Sequence, residues 1–220
     1  MPKFQLQKKI KIEWSSNFAY AIGLLASDGY LLSDGRHIGI KSKDLELVED
    51  FKKALGLNNK VGKGVRGGEK VRKYYYVHFG DKSFYGFLNS IGLTSAKSRT
   101  IKKVDVPKIF FRDFVRGLFD GDGTFYSSWD KRWPNSFIFQ IAFCSASLDF
   151  MLWLKSNLTK FYSVKGFIRE GDRVYNLRYV KGDTKKLFCE MYYKNGLLFL
   201  SRKYIKINNA LKKDAGLAHR

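Results

Sequence analysis

The sequence predicts an α+β fold made of two copies of one αββαββα unit. The first observation is a phrase that occurs twice, AIGLLASDG at residues 21–29 and VRGLFDGDG at residues 115–123, with Gly, Leu, Asp and Gly at matching places. The second is that helix-like and strand-like segments follow each copy in the same order. A repeat of this size indicates that one supersecondary unit is used twice. We therefore expect an N-terminal half over residues 1–106 and a C-terminal half over residues 107–220.

Composition predicts a packed and strongly basic protein. Hydrophobic residues make up 45% of the 220 residues, which is enough for a core. The chain has 41 Lys and Arg against 20 Asp and Glu, a net charge of +21. A field of this sign attracts polyanions, so nucleic acid is the first candidate partner, and a merely soluble or ribosomal basic protein is the alternative. No signal peptide or apolar stretch of membrane-spanning length stands out, so we expect an intracellular protein, prokaryotic or organellar, with no membrane partner.

The first half carries signals for three helices and four strands. Ser15 or Ser16 can cap the helix that holds the first phrase, and Asp44 can cap a helix with a clear apolar stripe. The Gly67-Gly68 pair predicts a hairpin turn. The expected order is helix 17–27, strands 30–32 and 36–41, helix 44–56, strands 61–66 and 71–79, helix 81–92, and a basic segment at 95–103.

The second half repeats this order. Ser147 and Asp183 are placed to cap its later two helices, and Gly171 marks a hairpin turn. The expected order is helix 111–121, strands 124–128 and 136–144, a helix from 147, strands 165–169 and 173–180, a helix over about 183–193, a basic segment at 200–206 and a polar tail. Two cysteines, Cys144 and Cys189, lie in apolar contexts and are expected to be reduced and buried.

Small residues in the two phrases predict that the motif helices pack on one another. Gly23 and Ser27 are four residues apart, as are Gly117 and Gly121, and this spacing places small residues on one face of each helix. Backbones can then approach closely around a pseudo-twofold axis. The two aspartates that follow, Asp28 and Asp122, would emerge side by side.

Two adjacent carboxylates predict a divalent-metal site. Asp28 and Asp122 would repel one another and favour a cation between them, and helix C-termini add partial negative charge. Hard oxygen ligands suit Mg²⁺, which can support phosphodiester hydrolysis. One Asp-Gly after a helix is usually a capping turn, but two copies in matched context favour the metal hypothesis. Asp120 has Ala26 as its counterpart and is instead expected to be a polar residue near the helix interface.

The two phrases resemble the paired motifs of LAGLIDADG homing endonucleases in their single-chain, two-motif form, and the resemblance covers nearly the whole chain. The matching residues are Gly23, Leu24, Asp28 and Gly29 in the first phrase and Gly117, Leu118, Asp120, Asp122 and Gly123 in the second. The resemblance implies a saddle of two four-stranded antiparallel sheets on DNA, with the motif helices at its centre. It also implies a monomer, encoded in an intron, that cuts both strands of a long non-palindromic site and leaves 5′ phosphates and short 3′ overhangs. Mg²⁺ or Mn²⁺ would support cleavage, and Ca²⁺ would support binding alone.

The resemblance extends to residues around the implied active site. Ser42 and Ser145 occupy positions where the family often has Gln, so shorter side chains would provide the active-site support. Lys97 and Lys203 match lysines that lie beside the metals in the family. A cation near the scissile phosphate can neutralise developing charge, which gives such lysines a catalytic role. The alternative is that they are ordinary phosphate-contacting or solvated lysines.

Strand alternation predicts which side chains would face DNA. Apolar residues at every second position, such as Ile38 and Ile40, point to the helices, so their neighbours point outward. The residues predicted to contact bases are His37, Lys41, Tyr76, His78, Gln140, Asn176 and Arg178. Gln, Asn and Arg read base edges bidentately. Basic residues at strand ends and turns suit phosphates, namely Lys60, Lys63, Arg66, Lys70, Arg72, Lys73, Arg169 and Arg173.

Three other functions fit parts of the sequence. A maturase on the same scaffold would bind intron RNA by its shape and would need no cleavage centre. A non-catalytic DNA-binding regulator is expected to lose the acids and add a helix-turn-helix module, and the sequence shows neither change. An unrelated basic protein would require the two phrases to match by accident.

Overall fold

The computed structural model describes residues 10–65, 71 and 73–218. It confirms the α+β fold, with two four-stranded antiparallel sheets and the two motif helices packed together. The elements of the first half are α1 (Ser16–Ser27), β1 (Gly29–Leu31), β2 (His37–Ser42), α2 (Leu45–Leu55), β3 (Gly62–Gly64), β4 (Tyr74–Gly80), α3 (Lys82–Ser90) and a short α4 (Lys97–Thr100). The predicted turn at Gly67-Gly68 lies outside the described residues.

The second half begins after a 3₁₀ turn at Lys108–Phe110. Its elements are α5 (Phe111–Asp122), β5 (Thr124–Trp129), β6 (Phe137–Ser145), α6 (Leu148–Tyr162), β7 (Phe167–Gly171), β8 (Val174–Val180), α7 (Lys181–Met191) and α8 (Ser201–Ala218). No helix in the described part of the chain could cross a membrane.

The two sheets have the same strand order, β1-β2-β4-β3 in the first half and β5-β6-β8-β7 in the second. Every neighbouring pair is antiparallel. Ile38, Ile40 and Val77 are buried on the helix-covered face of the first sheet, and Ile141 and Leu177 are buried on that of the second. The alternate side chains therefore form an outer face on each sheet.

Short polar side chains fix where several helices begin. The Ser15 hydroxyl accepts from the backbone nitrogen of Phe18 at 3.1 Å, and Ser147 does the same for Phe150 at 3.2 Å. Such bonds satisfy backbone donors that have no partner within the helix. Asp44 stands at the N-cap of α2 as predicted, but it makes no side-chain capping bond.

The start of α7 differs from the prediction. The helix begins at Lys181 with Val180 as its N-cap, so Asp183 lies inside the first turn and does not cap it. Thr184 explains the earlier start, because its buried hydroxyl donates to the Tyr179 carbonyl and accepts from a neighbouring strand. Both cysteines are free thiols, but Cys189 is exposed where burial was predicted.

The predicted basic segment and polar tail form α8, a helix of 18 residues. Its buried face carries Lys203, Ile207, Ala210 and Asp214, which follow helical spacing. The carboxylate of Asp214 pairs with Lys181 at 2.5 Å and with Lys185, also of α7, at 2.7 Å. These contacts dock α8 against the second half and place Lys203 beneath the motif helix.

Candidate functional site

The motif helices α1 and α5 touch through their backbones. A Cβ added at Gly23 would collide with the Phe114 carbonyl, and one at Gly117 would collide with the Tyr20 carbonyl. A Cβ at Gly121 would likewise overlap the Ser27 side chain. Glycine at these places lets the two helices come closer than side chains would permit.

This contact sets the position of the two aspartates. Asp28 is the C-cap of α1 and is half-buried, while Asp122 is the last residue of α5 and is exposed. A Cβ at Gly121 would lie 3.3 Å from the Asp28 carboxylate. The structure therefore places Asp28 against the residue that precedes Asp122, at adjoining ends of the two helices.

Lys203 lies under the end of α5. Its side chain is buried, and its Nζ donates to the carbonyls of Phe119, Asp120, Gly121 and Gly123 at 2.6 to 3.0 Å. These carbonyls include ones that no helical N–H can reach, and a cation there offsets the negative end of the helix dipole. Lys203 thus holds the helix end that carries the second aspartate.

Lys97 occupies the corresponding place in the first half, with one difference. It is also buried, but among the described residues its Nζ donates to one carbonyl, that of Gly29. Burial lowers the pKa of both Lys97 and Lys203 to about 8, and Asp28 and Asp122 oppose that change at each lysine. Both lysines therefore lie within electrostatic range of Asp28 and Asp122, and Asp120 opposes the lowering of the pKa most strongly at Lys203.

Asp120 is buried between the motif helices. Its Oδ2 accepts from the Tyr20 hydroxyl at 2.9 Å and from the backbone nitrogen of Leu200 at 2.8 Å. Its Oδ1 has no hydrogen-bond partner among the described residues. Burial raises the pKa of Asp120 to about 6, against the opposing effect of the Leu200 hydrogen bond. Asp120 joins both motif helices to the segment that leads into α8.

Two further polar residues of α5, Asp113 and Arg116, are buried and were not predicted from the sequence. Arg116 pairs with Asp113 at 2.8 Å and donates to the carbonyls of Met191 and Leu198. It ties the loop between α7 and α8 to the motif helix. Its spacing from Asp113 is the only signal in the sequence, and charges three residues apart on a helix are usually exposed pairs.

The outer face of the first sheet brings together the predicted base-contacting residues of that half. The His37 and His78 rings stack with centroids 4.9 Å apart, and Tyr30 bonds to His78 Nδ1 at 3.2 Å. Burial and the neighbouring His37 lower the pKa of His78. Lys41 and Tyr76 are direct cross-strand neighbours on the same face. Every one of these side chains carries a polar atom.

The outer face of the second sheet holds Gln140, Asn176 and Arg178. Cross-strand neighbours are Ala142 with Arg178 and Cys144 with Asn176, so these side chains share one face. The buried Nε of Arg178 has no hydrogen-bond partner within the described residues. Gln140, Asn176 and Arg178 therefore lie on one outer face, as strand alternation predicts.

Several predicted residues have other local contacts. The Ser42 hydroxyl accepts from the Asp44 nitrogen at 3.2 Å, and Ser145 accepts from Ser147 at 3.1 Å, so both stabilise strand-to-helix turns. Of the predicted phosphate contacts, Arg66, Lys70 and Arg72 lie outside the described residues.

Asp28 and Asp122 could provide two of the ligands of a magnesium ion, but they could not fill its coordination shell without other ligands. Within the described ranges, no group of three or more His, Cys, Asp or Glu side chains could hold a metal. Mg²⁺ is usually held by one or two carboxylates, with water and substrate phosphate completing its shell. Asp28 and Asp122 supply that kind of donor set.

No family model and no curated protein sequence matches this chain. Solved structures do match it. Full-length DUF199/WhiA from Thermatoga maritima is 13% identical with a TM-score of 0.56, and I-DmoI in complex with DNA and Ca is 17% identical with a TM-score of 0.54. The meganuclease I-SmaMI bound to uncleavable DNA is 14% identical with a TM-score of 0.60. The chain has the LAGLIDADG fold.

The extent of the LAGLIDADG match differs between these proteins. The I-SmaMI match covers 90% of each chain, and the I-DmoI match covers 82% of this chain and 91% of that one. The WhiA match covers 93% of this chain, which spans 63% of the WhiA length. The fold is therefore shared by the homing endonuclease I-DmoI, by the meganuclease I-SmaMI and by WhiA, which is not named as an endonuclease.

Proposed function

We propose that this chain is a site-specific, divalent-metal-dependent DNA endonuclease that hydrolyses both strands of a long, non-palindromic duplex. The observation that carries the proposal is the placement of Asp28 and Asp122 at adjoining helix ends, with Lys97 and Lys203 buried beneath them. Each lysine is electrostatically coupled to both carboxylates. If the two aspartates only capped their helices, two buried lysines beside them would not be required.

Asp28 and Asp122 would hold Mg²⁺ or Mn²⁺, and Ca²⁺ would support binding without cleavage. When bound, such an ion supplies Lewis-acid stabilisation to a phosphodiester and to the water that attacks it. The I-DmoI structures to which this chain is similar include one in complex with DNA and Ca, and others in complex with target DNA in the presence of Mg or Mn. Two carboxylates leave the remaining positions to water and phosphate oxygen, which is the arrangement that Mg²⁺ prefers.

The lysines contribute through their charge and through the helix ends that they hold. With pKa values of about 8, most Lys97 and Lys203 side chains are protonated at neutral pH. Their positive charge lies beside the carboxylates, where it favours negative charge developing on a scissile phosphate. Their hydrogen bonds to backbone carbonyls keep the ends of the motif helices in place. Ser42 and Ser145 would stabilise the adjoining turns.

DNA would lie along the outer faces of the two sheets. A net charge of +21 supplies the attraction to phosphates, and an antiparallel ribbon fits the major groove. His37, Lys41, Tyr76 and His78 would contact one half-site. Gln140, Asn176 and Arg178 would contact the other. Because the two faces differ in chemistry, a monomer would read a target without palindromic symmetry. The resemblance to LAGLIDADG homing endonucleases further implies products with 5′ phosphates and short 3′ overhangs.

A non-cleaving DNA-binding protein is the second candidate. The use of both lysines as donors to backbone carbonyls favours it, because a binding protein would also keep this arrangement. The fold is compatible with it, since WhiA shares the fold and is not named as an endonuclease. A maturase that binds intron RNA would use the same basic surface.

Selection from a randomised duplex DNA library tests these functions together. The protein is incubated with the library in Mg²⁺, cleaved molecules are recovered and sequenced, and bound molecules are recovered from a parallel sample in Ca²⁺. The proposal predicts one cleaved consensus sequence in Mg²⁺ and the same sequence bound in Ca²⁺. A bound consensus that is never cut in Mg²⁺ or Mn²⁺ would establish the binding protein, and retention of intron RNA alone would establish the maturase.

A further inference from the structure

The outer face of the second sheet contains an apolar patch around Gln140. Tyr126 and Val180 are its cross-strand neighbours, and Ile138 precedes it by two positions on the same face of β6. We call Tyr126, Ile138, Gln140 and Val180 the Gln140 patch. Tyr126 is 53% exposed, Val180 49% and Ile138 38%. These three side chains therefore expose apolar surface around the side-chain amide of Gln140.

The first sheet has no matching patch among its described residues. On the strands themselves, its outward-facing side chains are those of Tyr30, His37, Lys41, Tyr76 and His78, all of which carry a polar or charged atom. The Gln140 patch contains two purely aliphatic side chains, Ile138 and Val180. The Tyr126 hydroxyl is already bonded to Ser128 at 2.9 Å, so Tyr126 presents mainly its ring. The outer face of the first sheet is therefore polar, whereas that of the second sheet is partly apolar.

We propose that the Gln140 patch recognises thymine 5-methyl groups flanking an adenine that Gln140 reads in the major groove. This inference rests on the proposed DNA-binding function and specifies the base preference of the second half-site. Gln pairs bidentately with adenine N6 and N7, and the methyl group of thymine is the one apolar feature of the major groove edge. The patch combines both chemistries within adjacent strands.

Charge on the surrounding surface favours DNA over an apolar protein partner. Arg178 and Asn176 share this face, and the exposed Arg169 of β7 lies opposite Asn176. A cationic rim around an apolar centre complements a groove in which methyl groups lie between two phosphate backbones. A second copy of this chain would bring the same positive charge against itself.

The test uses the selected target and deoxyuridine, which differs from thymidine only by the methyl group. The half-site read by the second sheet is identified as the one whose base preferences change in the Gln140→Ala variant. Thymines in that half-site are then replaced one at a time by deoxyuridine, and affinities are measured in Ca²⁺. We expect two or more replacements to weaken binding by about fourfold each, the value of one buried methyl group. The same replacements in the other half-site are the matched control and should have no such effect.

Variants of the patch provide the second measurement. Val180→Thr keeps the side-chain shape at an exposed position, and Ile138→Thr shortens its neighbour. In these variants, deoxyuridine replacement should lose most of its effect, while thermal stability stays close to wild type. Lys213→Thr, on α8 outside the patch, should leave the deoxyuridine effect unchanged.

Three results would overturn the inference. The first is specific DNA binding that is insensitive to every deoxyuridine replacement, and the second is a selected half-site without thymine beside the adenine. The third is a concentration-dependent dimer that Val180→Thr abolishes, which would make the patch a protein interface. If wild-type protein selects no DNA sequence, the proposed function itself fails, and that outcome is distinct from these three.

Discussion

The hydroxyl of Tyr20 donates a hydrogen bond of 2.9 Å to the carboxylate of Asp120, and neither residue is exposed. The bond joins the two motif helices at the centre of the molecule. The same carboxylate oxygen accepts from Leu200, three residues before Lys203. One buried acid therefore links both halves of the chain to the lysine beneath the second aspartate, although the first half has only Ala26 at the equivalent place.

Removal of the Tyr20 hydroxyl should destabilise the protein. In the Tyr20→Phe variant, buried Asp120 loses one of its two donors, which costs about 1–3 kcal/mol. Urea unfolding followed by circular dichroism measures this change in the free energy of unfolding. Tyr126→Phe is the control, because its hydroxyl bonds on the exposed face and its loss should stay within about 0.5 kcal/mol. Equal effects in both variants would argue against a central role for the buried bond.

Helix contact should make Gly117 irreplaceable by alanine. The added Cβ would collide with the backbone of α1, which costs about 3 kcal/mol or more if the helices separate. Gly182→Ala in α7 is the matched control, since a Cβ there meets no atom within 4 Å and alanine favours a helix by about 1 kcal/mol. Differential scanning calorimetry should show a lower Tm for Gly117→Ala and an unchanged or higher Tm for Gly182→Ala. A stable Gly117→Ala protein would contradict the packing.

The two buried lysines should differ in their effect on stability. Lys203→Met leaves four backbone carbonyls without their cationic donor, whereas Lys97→Met leaves one. Each unsatisfied buried acceptor costs about 1–3 kcal/mol before relaxation, so Lys203→Met should be the more destabilised variant in chemical unfolding. Lys212→Met, at an exposed position on α8, controls for the loss of charge. The reverse order of the two buried variants would be inconsistent with the observed hydrogen bonds.

Docking of α8 should depend on pH through Asp214. Burial raises the pKa of this carboxyl, but hydrogen bonds from Lys181 and Lys185 outweigh that effect and hold the pKa below its usual value. A carboxyl with a lowered folded-state pKa stabilises the fold above about pH 4, and this stabilisation is lost as the pH falls through the folded-state pKa. Asp214→Asn should therefore lose about 2 kcal/mol at pH 7, and its difference from wild type should shrink below about pH 4. A difference that stays constant from pH 7 to pH 3 would rule out this ion-pair account.

The elements that the sequence predicts best are those where local signals and packing agree. The two phrases predict the motif helices and their contact, because glycine at helical spacing has a direct steric meaning. Strand alternation predicts the outer faces, because successive side chains of a strand point to opposite faces of the sheet. The domain boundary near residue 106 and the functional roles of the site residues stay predictions.

Helix α8 shows why other parts escape sequence reasoning. Two of its four buried positions are Lys203 and Asp214, so the apolar period that indicates a helix is broken. Both charges are satisfied only by partners far away in the chain, the end of α5 and the start of α7. Asp44 is similar, since its expected capping role is replaced by a paired contact with Arg202. Such tertiary partners leave no local pattern.

Strand-specific cleavage by the Asp28→Asn and Asp122→Asn variants tests the central claim most directly. Each strand of the selected duplex is labelled separately, and cleavage in Mg²⁺ is followed for wild type and both variants, with binding in Ca²⁺ and Tm as controls for folding. If each carboxylate serves a different strand, each variant will bind normally and lose cleavage of one strand, so that nicked DNA accumulates. If the ion is shared, both variants will lose both cuts. Variants that bind and cut both strands at the wild-type rate would contradict the assignment of Asp28 and Asp122 as the metal-binding residues.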